Sequence, residues 1–372
     1  MNPFLYQNPC TGTNFCLREQ ELNVMRSLVE TRSNVLVYSK RKYGKTSLIR
    51  EFFQNHIDRD SYLTIYIDLF GITDSADFAK LFYRQITYAV PYDYREILKK
   101  LKEIFQRVNF TATMKENGEL DFLPKLCSYN IRELMADINR GLARIAEETG
   151  KRIVIAFDEF QQLDLMKDMD VEGLFSRSIE KYSEVTYIFT GLKRHLLTGL
   201  FSKKRSRLYG LVEPLELRSI PMQQFYDFID EKFEGRLSYE LFEHIYTMTE
   251  GESRLIQEFC YHLYHNGRSE QIAREDIEYV CQLLLDSKSD YFKMVLDRLS
   301  LPLKIALKAV IMSDGRELYT KEHLFELRTT KSSLSTAVRH LYRDEIIDKE
   351  GGRYFLTNKC FELWCKKKFL LM

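Results

Sequence analysis

The chain predicts an α/β protein with a mainly parallel sheet, extended by an all-helical segment and a small mixed tail. Two apolar runs of strand length, Val35-Leu36-Val37-Tyr38 and Ile153-Val154-Ile155-Ala156-Phe157, lack the alternation of a half-exposed strand. Continuous apolar runs belong to strands covered on both faces. Helix-period segments separate these runs from three further short apolar runs, and strands alternating with helices fold as a parallel sheet with helices on both sides. From Pro221 onward the strand pattern stops, and only helical spacing follows until the pair Gly351-Gly352.

The N-terminal part is a loop followed by Phe15-Cys16-Leu17-Arg18-Glu19-Gln20-Glu21-Leu22, whose spacing into Met25 and Leu28 predicts a helix. Strand one then ends at Tyr38 and runs into Ser39-Lys40-Arg41-Lys42-Tyr43-Gly44-Lys45-Thr46-Ser47, and an amphipathic helix starts at Lys45 and extends to about His56. A strand, a loop of small and basic residues and a helix start form the context of a phosphate-binding loop. Backbone N–H groups at the helix start face an anion, Lys45 reaches the outer phosphates, Gly44 lets the backbone pass close, and the Thr46 hydroxyl can ligate Mg²⁺. Ser39 stands where the pattern GxxxxGK[ST] has its first glycine. Serine reaches positive φ less readily than glycine, so the expectation is slower turnover rather than lost binding. A solvated basic turn of Lys40, Arg41, Lys42 and Lys45 is the competing reading, and the strand before it and the acidic strand below argue against it.

A second strand covers Leu63 to Leu69, and helical patterns run from Asp77 to Ala89 and from Tyr94 to Phe105. The stretch Thr111 to Lys125 holds Gly118 and Pro124 without clear period, which predicts an exposed insertion loop. A long amphipathic helix follows from Asn130 to Glu148, with Gly150 as its C-cap. The next strand, from Arg152, closes on Asp158 and Glu159. Acids at a strand end are often plain turn residues, but open α/β sheets bind ligands at that edge. Paired with the phosphate loop, Asp158 is assigned to the Mg²⁺ water shell and Glu159 to an attacking water. A fourth strand, Val185 to Gly191, leads to Lys193 and Arg194. Thr190 is a candidate to hold that water beside Glu159 and Arg194 to meet a γ-phosphate, a solvated turn being equally open for the two cations. A fifth strand, Val212 to Leu217, closes the α/β part.

Helices are predicted over Gln223 to Phe233, Ser238 to Thr249, Arg254 to His265 and Arg274 to Leu285, and Arg254 at a helix start is a candidate phosphate sensor or a surface residue. In the tail, helices over Leu303 to Ile311, Lys321 to Leu327 and Lys331 to Tyr342 precede two short strands around Gly351-Gly352, a hairpin signal. Three helices and a β-wing predict a winged helix whose third helix carries Lys331, Ser332, Ser333, Ser335, Thr336, Arg339 and His340 on polar positions. Such a domain contacts DNA or docks a protein. Trp364 with Phe361 and Phe369 is expected to form a hydrophobic anchor.

The formal charge is +1, from 55 basic and 54 acidic residues, which excludes a polyanion binder by bulk charge. The excess sits in the tail, where residues 301–372 hold 14 Lys/Arg against 9 Asp/Glu. Seven scattered cysteines without a CxxC pair predict reduced thiols, with neither a disulfide framework nor a zinc site. No apolar stretch approaches the roughly 18 residues of a membrane span, and Met1-Asn2-Pro3-Phe4 lacks a signal-peptide n-region, so a cytoplasmic protein is expected.

Asn2-Pro3-Phe4, the Phe15 to Leu22 stretch, Arg41-Lys42-Tyr43-Gly44-Lys45-Thr46-Ser47-Leu48-Ile49, Phe157-Asp158-Glu159-Phe160-Gln161 and the tail Tyr354 to Trp364 together resemble the archaeal-type ATPases, a STAND branch of AAA+-like P-loop proteins found in archaea and Bacteroidetes. The resemblance covers nearly the whole chain. It implies an ASCE P-loop NTPase with a five-stranded parallel sheet in the order 5-1-4-3-2 at 1–219, a helical lid at 220–300 and a winged helix at 301–372. It also implies ATP or ADP with Mg²⁺ as ligands, Phe15 and Arg18 near the adenine, and Lys45, Thr46, Asp158 and Glu159 in the roles above. The family's glycine and proline in the loop are replaced by Ser39 and Lys40, and its Gly-x-Pro in the lid by Gly251-Glu252-Ser253. Two functions follow: an ATP-driven switch with a winged-helix output, or a non-catalytic nucleotide-sensing DNA-binding regulator. A phosphotransferase ranks third, since no acceptor-binding motif is present.

Overall fold

The computed structural model describes residues 2–16, 18–90, 105, 107–114, 120–127, 130–192, 200–201, 206–266 and 271–369, without the side chains of 110–114 and 120–123. The chain forms two compact units, one of Pro9–Lys40 and Gly44–Arg218, the other of Met1–Asn8, Arg41–Tyr43 and Ser219–Met372. Among the described residues, no helix is long and apolar enough to cross a membrane.

In the first unit the strands are β1 (Asn34–Ser39), β2 (Tyr62–Asp68), β3 (Val108–Met114), β4 (Leu120–Leu126), β5 (Arg152–Asp158), β6 (Val185–Leu192) and β7 (Val212–Glu216). Five of them make one parallel sheet in the order β2-β5-β6-β1-β7. Strand periodicity sorts their side chains onto two buried faces. Leu36, Ile65, Ile67, Ile153, Ile155, Phe157 and Phe189 face one core, where the helices Ser75–Ala89, Ile131–Thr149 and Val171–Lys181 contribute Phe78, Phe82, Ile138 and Phe175. Val35, Val37, Val154, Ala156 and Ile188 face the other, covered by Met25 and Val29 of the helix Glu19–Glu30 and by Leu48 and Ile49 of the helix Lys45–Glu51. Both faces of β1 and β5 are therefore dry, which is why these strands read as unbroken apolar runs. Phe157 is edge-on to Phe82 and Phe175, each at 5.3 Å between ring centroids, and this clamps the backbone one residue before Asp158.

Several sequence expectations change. The Thr111 to Lys125 stretch is no loop: β3 and β4 pair antiparallel, with Pro124 opposite Phe110. A two-stranded ribbon has only edges, where a residue without an N–H is tolerated. Among the described residues three unforeseen helices occur, Val171–Lys181, Ser289–Asp297 and Lys359–Trp364. The first starts at Asp170, whose carboxylate accepts the Gly173 N–H at 3.0 Å, a cap that offsets the poor helix propensity of glycine. The first long helix begins at Glu19 rather than near Phe15, because Gly12–Asn14 form a single 3₁₀ turn first. The Asn130 to Glu148 helix is present as Ile131–Thr149, and Gly150 ends it at φ 68° with its N–H on the Ala146 carbonyl. The helix expected over Tyr94 to Phe105 lies outside the described residues except for Phe105.

The second unit is helical, with Met222–Phe233, Tyr239–Thr249, Ser253–Asn266, Arg274–Ser287 and Ser289–Asp297, then Leu301–Met312, Lys321–Glu326 and Lys331–Arg343. An antiparallel pair, β8 (Ile347–Glu350) and β9 (Arg353–Leu356), follows, and Lys359–Trp364 is the next helix. Trp364 is buried against Phe361 and Phe292, and its indole N–H donates to Ser289 Oγ at 3.1 Å. The anchor thus closes on the helix Ser289–Asp297 and ties the helix Lys359–Trp364 to its own unit.

Candidate functional site

Three strand ends of the first unit carry the polar residues of the site: Ser39 on β1, Asp158 on β5 and Thr190 near the end of β6. Parallel pairing gathers them at one edge of the sheet: Phe157 lies opposite Phe189, which levels Asp158 with Thr190, and Ser39 lies opposite Leu192, two residues beyond Thr190. Gly44 precedes the helix Lys45–Glu51 at φ 89°, a conformation that favours glycine. Lys45 follows in the first turn, buried at 7% exposure, with its ammonium donating to Ser39 Oγ at 3.3 Å. The Ser39 hydroxyl in turn donates to the Lys40 carbonyl at 2.6 Å. Ser39 is not among the residues at positive φ; in this loop those are Lys42, at 64°, and Gly44. The conformational cost expected at Ser39 therefore falls on Lys42.

Asp158, 3% exposed, is the centre of the polar network. Its Oδ2 accepts the Thr46 hydroxyl at 2.6 Å and the Tyr66 hydroxyl at 2.8 Å. Its Oδ1 accepts the Glu159 N–H at 3.0 Å and a short hydrogen bond from the Thr190 hydroxyl. Thr190 thus spends its proton on Asp158, and the expected place beside Glu159 is taken instead by Gln161, whose side-chain amide donates to Glu159 Oε2. Glu159 sits in the left-handed region at φ 55°, ψ 42°, between the end of β5 and the 3₁₀ turns Phe160–Leu165. Burial, and next the carboxylate of Asp158, push the Tyr66 phenol above its ordinary range, so it is a hydrogen-bond donor at any physiological pH. Arg50 lies over the Tyr66 ring, 5.2 Å from its centroid.

Thr46 and Asp158 bring a hydroxyl and a carboxylate together at the start of a helix, an all-oxygen pair suited to a hard divalent cation. Ser47 accepts the Cys10 N–H at 3.1 Å, and the buried Glu51 accepts the Gly12 N–H at 2.7 Å, so the segment before the first helix is tied to the loop's own helix. Phe15 packs half-buried on the adjoining core, while Arg18, buried, donates to Glu21 and to the Arg218 carbonyl, each at 3.0 Å. Lys193 and Arg194 lie outside the described residues.

The tip of the loop, Arg41–Tyr43, belongs to the second unit. There Arg41 forms an ion pair with Glu345, and Lys42 one with Glu252 at 3.1 Å. The Tyr43 hydroxyl donates to the Glu250 carbonyl at 3.2 Å, and burial with Glu252 and Glu250 nearby raises its pKa to about 12. Burial raises Glu252 too, opposed by Lys42. Arg254 has an exposed side chain, and its backbone N–H donates to the Lys42 carbonyl at 3.4 Å. Tyr66, Gln161 and Glu252 have no role in the sequence expectations: Gln161 and Glu252 stand there only as members of quoted motifs, and Tyr66 only as a polar residue alternating with Ile65 and Ile67.

A family model described as an ATPase domain predominantly from Archaea matches residues 15–259. An uncharacterized ATP-binding protein of Methanocaldococcus jannaschii is 29% identical over 172 residues, which cover 45% of this chain and 45% of that protein. The match therefore spans less than half of that relative's length. A second uncharacterized ATP-binding protein of the same organism is 22% identical over 307 residues, 76% of this chain and 80% of its own. Among solved structures, a Walker-type ATPase of Pyrococcus abyssi superposes with a TM-score of 0.66 over 97% of this chain and 99% of its own, at 16% identity, a likeness of fold.

Proposed function

The chain belongs to the family of ATPase domains found predominantly in Archaea, and on that premise we propose that it binds ATP or ADP with Mg²⁺ and hydrolyses ATP slowly, as a nucleotide-driven switch with a winged-helix output. The observation that carries this reading is the 2.6 Å hydrogen bond between Thr46 and Asp158, formed where a buried Lys45 opens a helix behind Gly44. Backbone N–H groups at that helix start bind the phosphates, and Lys45 leaves Ser39 to reach their outer oxygens. Mg²⁺, when bound, supplies positive charge to the phosphate oxygens, and Thr46 and Asp158 are the residues that would hold it. Glu159, fixed by its own N–H on Asp158 and by Gln161, orients or deprotonates the attacking water. In this proposal the chain divides into an ATPase part at 1–219, a lid at 220–300 and a winged helix at 301–372.

The alternative is a non-catalytic nucleotide-sensing DNA-binding regulator. It is favoured by the exposed face of the helix Lys331–Arg343, which presents Lys331, Ser332, Ser333, Thr336, Arg339 and His340 to solvent. Docking of a protein through Phe361 and Trp364 is disfavoured, because both are buried in their own unit. Calorimetry of ADP and ATP binding tests the main reading. Lys45→Ala should weaken both by about 100-fold, the equivalent of ~3 kcal/mol for a charged hydrogen-bonded contact. Unchanged affinity overturns the phosphate-loop assignment.

A further inference from the structure

We infer that Tyr66 tunes metal-dependent nucleotide binding by competing for the oxygen of Asp158 that faces Thr46. The inference rests on reading Asp158 as the carboxylate on the metal side of the nucleotide. A carboxylate has about four acceptor positions, two on each oxygen. In Asp158 all four are taken: Thr46 and Tyr66 donate to Oδ2, and the Glu159 N–H and Thr190 donate to Oδ1. A cation or a cation-bound water that needs this carboxylate must therefore displace a donor.

The four donors are not equally free to leave. The Thr46 hydroxyl has one proton and two lone pairs, so it can face a cation and still donate to Oδ2. The Glu159 N–H is main chain, fixed by the end of β5 and the turn after it. Thr190 is fully buried and acts on Oδ1, the oxygen turned from Thr46. Tyr66 shares Oδ2 with Thr46 and takes no other part in the phosphate loop. Its ring is half-buried beneath the exposed Arg50, in a strand whose neighbour at this register is the small Ala156, so the phenol reaches past Ala156 to the strand end. Its hydroxyl can turn away without moving the backbone. The closed network thus holds the carboxylate in place when no cation is present, and the cation must break the Tyr66 bond to use Oδ2.

The variant Tyr66→Phe keeps the ring and its contact with Arg50 and removes only the competing O–H. The measurement is the dissociation constant of ADP by calorimetry, in excess Mg²⁺ and in EDTA, and the ratio of the two is the readout. In Tyr66→Phe the factor by which Mg²⁺ tightens ADP should rise about 5-fold, the equivalent of one ordinary hydrogen bond, with the EDTA value unchanged. A fall or no change overturns the inference, a fall meaning that Tyr66 positions Asp158 instead. Thr190→Val removes a donor from Oδ1 and should give no such rise; an equal rise would overturn the assignment to Oδ2. If the wild-type protein binds ADP through Lys45 but with equal affinity in Mg²⁺ and EDTA, the metal reading of Asp158 fails, and this inference with it.

Discussion

Replacing Asp158 by Asn separates what the carboxylate does for the fold from what it does for a ligand. Asparagine has the same shape but one oxygen and one NH₂ group. The Glu159 N–H cannot rotate, so the amide oxygen must take the Oδ1 place, where Thr190 also donates. The NH₂ group then faces Thr46 and Tyr66, whose hydroxyls can turn to accept, because each oxygen has lone pairs. All four bonds can survive, as neutral instead of charge-assisted ones. Each change of that kind costs about 0.5–1 kcal/mol, so ~2–4 kcal/mol in all, and removing a buried charge offsets part of it. The expected net loss is about 1–3 kcal/mol of stability, small enough for a folded protein. Nucleotide binding in Mg²⁺ should at the same time fall to its value in EDTA. Urea denaturation gives the first quantity and calorimetry the second. A loss above ~4 kcal/mol with the Mg²⁺ dependence intact would show that the carboxylate serves the fold alone.

Glu159→Gln should keep nucleotide affinity within about 2-fold and abolish turnover in a phosphate-release assay, since a water-orienting group acts mainly in the transition state. Gly315→Ala should destabilise the second unit by at least about 2 kcal/mol in urea denaturation, because the new Cβ would overlap the Tyr354 backbone carbonyl oxygen, and at φ 72°; a smaller loss would mean that β9 is free to shift. If the helix Lys331–Arg343 contacts duplex DNA, replacing Lys331 and Arg339 by Ala should weaken binding to all sequences and flatten the salt dependence by about 1–2 in log–log slope, as read by fluorescence anisotropy at two salt concentrations. Absence of DNA binding with ATP, with ADP and without nucleotide would retire the regulator alternative.

The central sheet was legible because its strands are buried on both faces, so Val35 to Tyr38 and Ile153 to Phe157 stood out without knowledge of their neighbours. The β3–β4 ribbon was not, although Val108-Asn109-Phe110-Thr111-Ala112 alternates and Asn117-Gly118 is a common turn pair. Pro124 and the mixed charge outweighed those signals, and nothing local says that a proline lies in an edge strand. The helix Val171–Lys181 hid behind Gly173 and two serines, and the cap at Asp170 that compensates them is a single residue. At the site, the phosphate loop and the acids were readable as types at a spacing. The partners of Asp158 depend on register, which local patterns do not give: Tyr66 reaches it only because β2 pairs with β5 so that Asp68 meets Asp158.

The residue that looked defective in the sequence and the residues that bear the strain are different. Ser39 ends β1 without positive φ and supplies a hydroxyl to Lys45, a contact that glycine could not make. In the phosphate loop and at the end of β5, Lys42 and Glu159 are among the non-glycine residues at left-handed φ, and holding a side chain there costs of order 1–3 kcal/mol each. Such a cost persists only where neighbours fix the conformation, and both residues are fixed on the main chain and the side chain. Lys42 offers its carbonyl to the Arg254 N–H and its ammonium to Glu252. Glu159 gives its N–H to Asp158 and receives the Gln161 amide on its carboxylate. Relief of strain is therefore available at both places when those partners change, and a ligand that recruits Lys42 from Glu252, or Asp158 from the Glu159 N–H, would draw on it. The missing glycine, by contrast, stores nothing: its replacement by serine adds a partner for Lys45 and leaves the positive-φ positions of the loop to Lys42 and Gly44.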